Sequence, residues 1–201
     1  MFLRYLRKLL SWQLGGQVLA PVESEVDELA DGVMPIRWGD RRFVITDKYG
    51  RLKRRGKGHW GSDLMTRRND GSKIVALPGK TKHYECPTGV VEARCCLAGV
   101  VVRVLDDKKN GGAIYVDHGR FMSVYRHLDQ DFKELWPAKG QSIPKGTVIG
   151  IVGHAPSAGK KGINHLHFEL WDTDKAREGH PWDRRRQAID PGPHLAKWAG
   201  R

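Results

Sequence analysis

Nine histidines stand among the 201 residues of this chain, and several fall at spacings that bring two donor atoms to one point. His165 and His167 flank Leu166 in a stretch that alternates polar and apolar residues. In an extended strand, alternate residues share a face, so both imidazoles point one way while Leu166 and Phe168 point the other. Two such imidazoles can bind one metal, or one can bind while the other moves protons. His59 and Asp63 stand four residues apart, and Gly61 between them permits a turn tight enough for both side chains to converge. His127 lies on another candidate strand, within Tyr125-Arg126-His127-Leu128. Catalytic zinc takes three protein ligands and keeps one open position, which a His, Asp, His set satisfies. The remaining histidines would then supply general acid and base groups. Each pairing alone occurs often by chance, so their value lies in combination.

The elements that must position these groups read as β structure. Residues 42–46, 99–105, 113–118, 122–128, 147–152 and 165–171 are rich in β-branched and aromatic residues. Asn110-Gly111-Gly112 is a hairpin signal between two of these runs. Helix signals are sparse, confined to residues 131–136 and the last turns near 194–198. The expected fold class is mainly β, an antiparallel sheet or sandwich.

Composition narrows the class of protein. The net charge is +12, charged residues make up 29% of the chain, and 39% are apolar, enough for a hydrophobic core. No apolar run approaches the roughly 18–20 residues of a membrane-spanning helix. The basic balance favours anionic partners. Specific nucleic-acid binding is disfavoured, because no helix-turn-helix, zinc-finger or RNP-type pattern accompanies the charge. The three cysteines, Cys86, Cys95 and Cys96, form no C-x-x-C and read as small buried apolar residues.

The motifs taken together resemble the lysostaphin/LytM-type zinc metallopeptidases, the peptidoglycan endopeptidases. That family's H-x-G-x-D, Y-x-H-L and H-L-H-F-E segments stand here, in order, as His59-Trp60-Gly61-Ser62-Asp63, Tyr125-Arg126-His127-Leu128 and His165-Leu166-His167-Phe168-Glu169. Ala98-Gly99-Val100-Val101, Val116-Asp117-His118-Gly119 and Ile189-Asp190-Pro191 resemble lesser landmarks, and the resemblance spans residues 56–195. It implies the duplicated-hybrid-motif fold with a groove, and one zinc ion held by His59, Asp63 and His167. His127 and His165 would be the catalytic histidines. It further implies hydrolysis of peptide bonds in the stems or cross-bridges of bacterial peptidoglycan, outside the cytoplasm. Residues 154–164 depart from the family pattern and read as a groove wall ending at Asn164. Trp60 and Trp171 sit beside motif residues, either lining that groove or packing in the core.

The first 35 residues fall outside the resemblance. Phe2, Leu6, Leu9, Leu10 and Gln13 share one face of a candidate amphipathic helix. Its basic start imitates a signal peptide poorly, since Gln13, Gly15, Gly16 and Gln17 interrupt the apolar stretch. Residues 21–35 carry five acids and no base, and the expected short helix there ends at Gly32; residues 36–60 then carry nine bases against two acids. This charge reversal sets an expected boundary between an N-terminal extension, 1–35, and a main domain, 36–201. Such a leader suits docking onto a phage tail or an envelope protein, as in a virion-associated lytic enzyme. The competing expectations are an exported bacterial enzyme and a catalytically silent wall-binding or structural component.

Overall fold

The computed structural model describes residues 28–39, 43–50, 58–67, 74–77, 80–82, 84–156, 162–173 and 188–200. The candidate helix over residues 1–20, the basic run 51–57, His83, His180 and residues 157–161 of the expected groove wall lie outside the described residues.

Strands dominate the described residues. In chain order they are β1 (Ile36–Arg37), β2 (Phe43–Asp47), β3 (Ser62–Arg67), β4 (Ile74–Leu77), β5 (Lys80–Lys82), β6 (Tyr84–Glu85) and β7 (Glu92–Arg94). There follow β8 (Gly99–Asp107), β9 (Gly111–Asp117), β10 (Phe121–Leu128), β11 (Ser142–Ile143), β12 (Val148–Ile151), β13 (Leu166–Asp172) and β14 (Ala188–Ile189). A 3-10 helix covers Gln130–Leu135, where the sequence predicts a helix over 131–136, and an α-helix, α1, covers Gly192–Ala199. The largest sheet has nine strands in the order β11-β8-β9-β10-β13-β3-β2, with β14 also on β13 and β6 also on β3. A smaller sheet runs β1-β7-β12, and β4 pairs with β5. All these pairings are antiparallel.

Strand alternation gives the large sheet two distinct faces. Leu64, Val101, Ile114, Val116, Tyr125, Leu166, Phe168 and Leu170 pack in one core with Ile36, Ala93 and Ile149 of the small sheet. Burial of each large apolar side chain there contributes roughly 1.5–3 kcal/mol. The opposite face carries a second cluster of Ala113, Tyr115, Met122, Val124, Trp171 and Ala188. All three cysteines are buried free thiols, and burial pushes Cys86 and Cys95 up to about 12.

The hairpin expected at Asn110-Gly111-Gly112 forms, and His165 departs from its expected strand. The β8–β9 hairpin closes over residues 108–110, with Asp107 opposite Gly111, so Asn110 belongs to the loop while both glycines begin the next strand. Gly111 adopts φ 78°, the left-handed conformation that a three-residue hairpin loop needs at its end. His165 precedes β13 instead of lying within it. Among the described residues, contacts cross the expected boundary at residue 35. Leu29 and Ile36 join the main core, and Val33 N–H donates to Cys96 O at 2.9 Å. The Trp198 indole N–H of α1 donates to Leu29 O at 2.7 Å, and a Cβ on Gly32 would stand 2.2 Å from that ring. Charge composition follows solvent exposure, whereas these contacts use the few apolar residues interspersed among the acids.

Candidate metal centre

The register of three strands assembles the site. On β13, His167 stands opposite Asp63 of β3 on one side and opposite Arg126 of β10 on the other. His59 arrives from the segment preceding β3. A Cβ on Gly61 would stand 2.4 Å from Phe168 O and 3.0 Å from His167 Nε2, so the turn that brings His59 back over Asp63 has room only for glycine. Gly61→Ala is expected to destabilise the protein by about 1–3 kcal/mol through overpacking against backbone. It should also weaken metal binding by displacing His167, and a thermal melt with a zinc titration checks both.

His59 Nε2, Asp63 Oδ1 and His167 Nδ1 lie within 4.8 Å of one another. Asp63 Oδ1 is 3.0 Å from His59 Nε2 and 2.8 Å from His167 Nδ1, and the two ring nitrogens are 3.0 Å apart. All three side chains are buried. The outer atoms of the rings decide what the inner ones are. His59 Nδ1 faces Lys48 O at 3.0 Å, and a carbonyl only accepts, so that nitrogen carries the proton. His167 Nε2 faces Glu169 Oε1 at 3.0 Å, which leaves Nδ1 bare. Without a metal, a proton on either inner nitrogen is shared with Asp63 Oδ1; with both inner nitrogens bare, two lone pairs and a carboxylate oxygen converge and favour a cation. Burial pushes the Asp63 carboxyl up, but hydrogen bonds with His167 and His59 outweigh it and hold it well below the usual carboxylate range. Burial lowers His167, yet its bonds to Asp63 and Glu169 prevail and raise its affinity for a proton. The donor set, two imidazoles and one carboxylate, fits zinc with one position left open.

His127 and His165 stand beside this cluster, their rings 4.8 Å apart and His127 6.0 Å from the His167 ring. Strict alternation would turn His127 toward the core with Tyr125. Instead the β10–β9 register shifts between Arg126 and Leu128, and Leu128 takes the place opposite Gly112. His127 is the extra residue of a β-bulge, at φ 65°, the one non-glycine with positive φ among the described residues. Such backbone strain is of order 1–3 kcal/mol and is typical of functional positions. His127 Nδ1–H donates to Asn110 O at 2.7 Å and His165 Nδ1–H to Ile163 O at 2.7 Å, so both keep Nε2 as a bare acceptor. Burial, reinforced by the neighbouring His165 and His167, pushes His127 down to about 4, so it is neutral at physiological pH.

The expected groove residues divide. Asn164 is half-buried, bonds His154 Nδ1 at 3.0 Å, and lines a cavity of about 260 Å³ with Thr88, Gly111, Asp129 and His154. Trp60 is half-buried against the second cluster. Trp171 does not line a groove: it is 2% exposed, stands edge-on to Tyr115, and donates its indole N–H to Glu169 Oε2 at 2.8 Å. It shares strand parity with His167 and therefore its face, but on that part of the sheet the face is covered. Sequence reading assigned no role to Arg126, Tyr115 or Glu169. Arg126 Nε donates to Glu169 Oε1 at 2.8 Å and Arg126 Nη2 to Tyr115 Oη at 2.6 Å, directly behind His167. Glu169 closes the H-L-H-F-E segment and shares the parity of His167, the two sequence signals that pointed to it.

Comparison with known proteins agrees with this architecture. No curated protein matches the chain in sequence. SpoIIQ, solved in the SpoIIQ–SpoIIIAH pore-forming complex, superposes with a TM-score of 0.51 at 17% identity over 82% of this chain and 90% of that one. Csd3 of Helicobacter pylori gives 0.50 at 19% identity, over 82% of this chain and 34% of its own. The catalytic domain of the prophage-encoded M23 protein EnpA from Enterococcus faecalis gives 0.48 at 20% identity, covering 75% and 89%. The fold is thus one shared with solved structures at low identity. The model of peptidase family M23 matches residues 82–183, which hold His127, His165 and His167, and the chain belongs to that family.

Proposed function

We propose that this M23 peptidase is a zinc-dependent endopeptidase that hydrolyses peptide bonds in the stems or cross-bridges of bacterial peptidoglycan. The observation that carries the reading is the convergence of His59 Nε2, Asp63 Oδ1 and His167 Nδ1 beside two further imidazoles. A zinc ion held by those three atoms would acidify a water molecule and polarise the scissile carbonyl. The chain's own groups do the rest. His127, neutral at working pH with Nε2 bare, accepts a proton from the attacking water. His165 stands beside it, its ring 4.8 Å away and its Nε2 3.8 Å from Asp63 Oδ1. The proton taken from the water is the one returned to the leaving amine, while His165, once it carries a proton on Nε2, would hydrogen-bond the developing oxyanion; geometry alone lets the two histidines exchange these roles. Completeness of the five-residue set argues against a silent wall-binding relative.

Peptidoglycan lies outside the cytoplasmic membrane, so the same proposal places the protein's action there, carried by a phage virion or exported by a bacterium. Detection in purified virions, against detection of a cleaved leader in a periplasm, separates the two routes. The activity itself is tested by release of soluble peptides from purified peptidoglycan. Release in zinc, loss in chelator and recovery on adding zinc back are expected. No release from walls of several cross-bridge chemistries, by a protein with bound zinc, would overturn the substrate.

A further inference from the structure

Of the four histidines at the site, three have their outer nitrogen tied to a backbone carbonyl: His59 to Lys48, His127 to Asn110 and His165 to Ile163. His167 alone is tied to a side chain, and it alone is turned so that Nδ1 faces inward. We propose that Glu169 and Arg126 are positioning residues that hold His167 in the Nε2–H tautomer and so present Nδ1 to the metal; the inference rests on the zinc reading above.

The geometry is that of a carboxylate behind a ligating imidazole. Glu169 is fully buried, at 0% exposure, and its Oε1 receives both His167 Nε2 at 3.0 Å and Arg126 Nε at 2.8 Å. Trp171 Nε1–H donates to Oε2 at 2.8 Å. A carboxylate surrounded by donors accepts and does not donate, so the proton on that axis belongs to His167 Nε2. Arg126 pairs with the buried Glu169 carboxyl inside the sheet and holds Oε1 against His167 Nε2. Tyr115 fixes the guanidinium in turn, through its Oη at 2.6 Å from Nη2, with the guanidinium 5.3 Å over the ring.

The test is a zinc titration of full-length Glu169→Gln by competition with a chromophoric chelator, beside imidazole nitrogen NMR of the metal-free protein at alkaline pH. Zinc affinity is expected to fall about 10–100-fold, as when outer partners of ligating histidines are lost. The His167 proton should also leave Nε2, while the metal-free thermal midpoint and His59 resonances stay in the folded range. Wild-type affinity with the wild-type tautomer overturns the proposal. If Glu169→Gln does not fold, Arg126→Met is read by the same two measurements with the same expected direction, and Arg126→Lys should recover affinity. A wild-type protein that binds no zinc overturns the metal reading instead, and the tautomer measurement then decides the Glu169 role by itself.

Discussion

Replacing His127 by alanine is expected to lower kcat/KM for peptidoglycan cleavage about 10²–10⁴-fold, the range for loss of a positioned proton-transfer group, while bound zinc stays unchanged. The residue is outside the triad of His59, Asp63 and His167, so its removal leaves the three ligand atoms in place. It is nevertheless held with some effort: a β-bulge, a positive φ of 65° and a hydrogen bond to Asn110 O at 2.7 Å all serve to aim one ring. A histidine kept only for packing would have followed Tyr125 into the core. The alanine variant retains the strained backbone, so His127→Asn, which tolerates the left-handed conformation better, separates strain from chemistry. Both variants should lose activity to a similar degree, whereas His127→Asn should melt about 2–4 °C higher than His127→Ala. Full zinc content with activity within a few-fold of wild type in either variant would remove His127 from the mechanism.

How far the sequence could take this site depends on the range of each interaction. Alternation over His165 to Trp171 correctly divides β13: Leu166, Phe168 and Leu170 enter the core, and His167 opposes Asp63. That periodicity is local, and so is the tight turn at Gly61. The bulge at His127 is not legible in this way, because it is a mismatch between β10 and β9, and its position is set by which residue pairs with Gly112. The Arg126–Glu169 pair is also a product of register, joining residues 43 apart in the chain. Trp171 shows the same limit from the other side. Its parity places it on the face of His167, yet its burial depends on what covers that end of the sheet. Before residue 37 the contacts rest on few residues: Leu29 and Ile36, among acids and bases, tie residues 28–36 to the core and to α1.

Asp63→Ala is expected to abolish zinc binding and wall hydrolysis together. The carboxylate is the only formal negative charge among the three converging donors, and it is buried between the two imidazoles. Without it, His59 Nε2 and His167 Nδ1 remain as two neutral donors, and the attraction for a divalent cation falls steeply in a site shielded from water. Asp63→Asn isolates that effect, since the amide keeps the size and one oxygen but not the charge; it should bind zinc far more weakly than wild type. Stability gives a second readout independent of substrate. A ligand that binds only the folded state adds about 2.7 kcal/mol at a free concentration of 100 times its Kd. For a chain of this size that raises the melting midpoint by about 5–10 °C. Wild type should show this rise with zinc and lose it in chelator, and Asp63→Ala should melt at the same temperature in both. A zinc-dependent rise that survives in Asp63→Ala would mean the ion is held by a different set of residues, and the assignment of His59, Asp63 and His167 would fall with it.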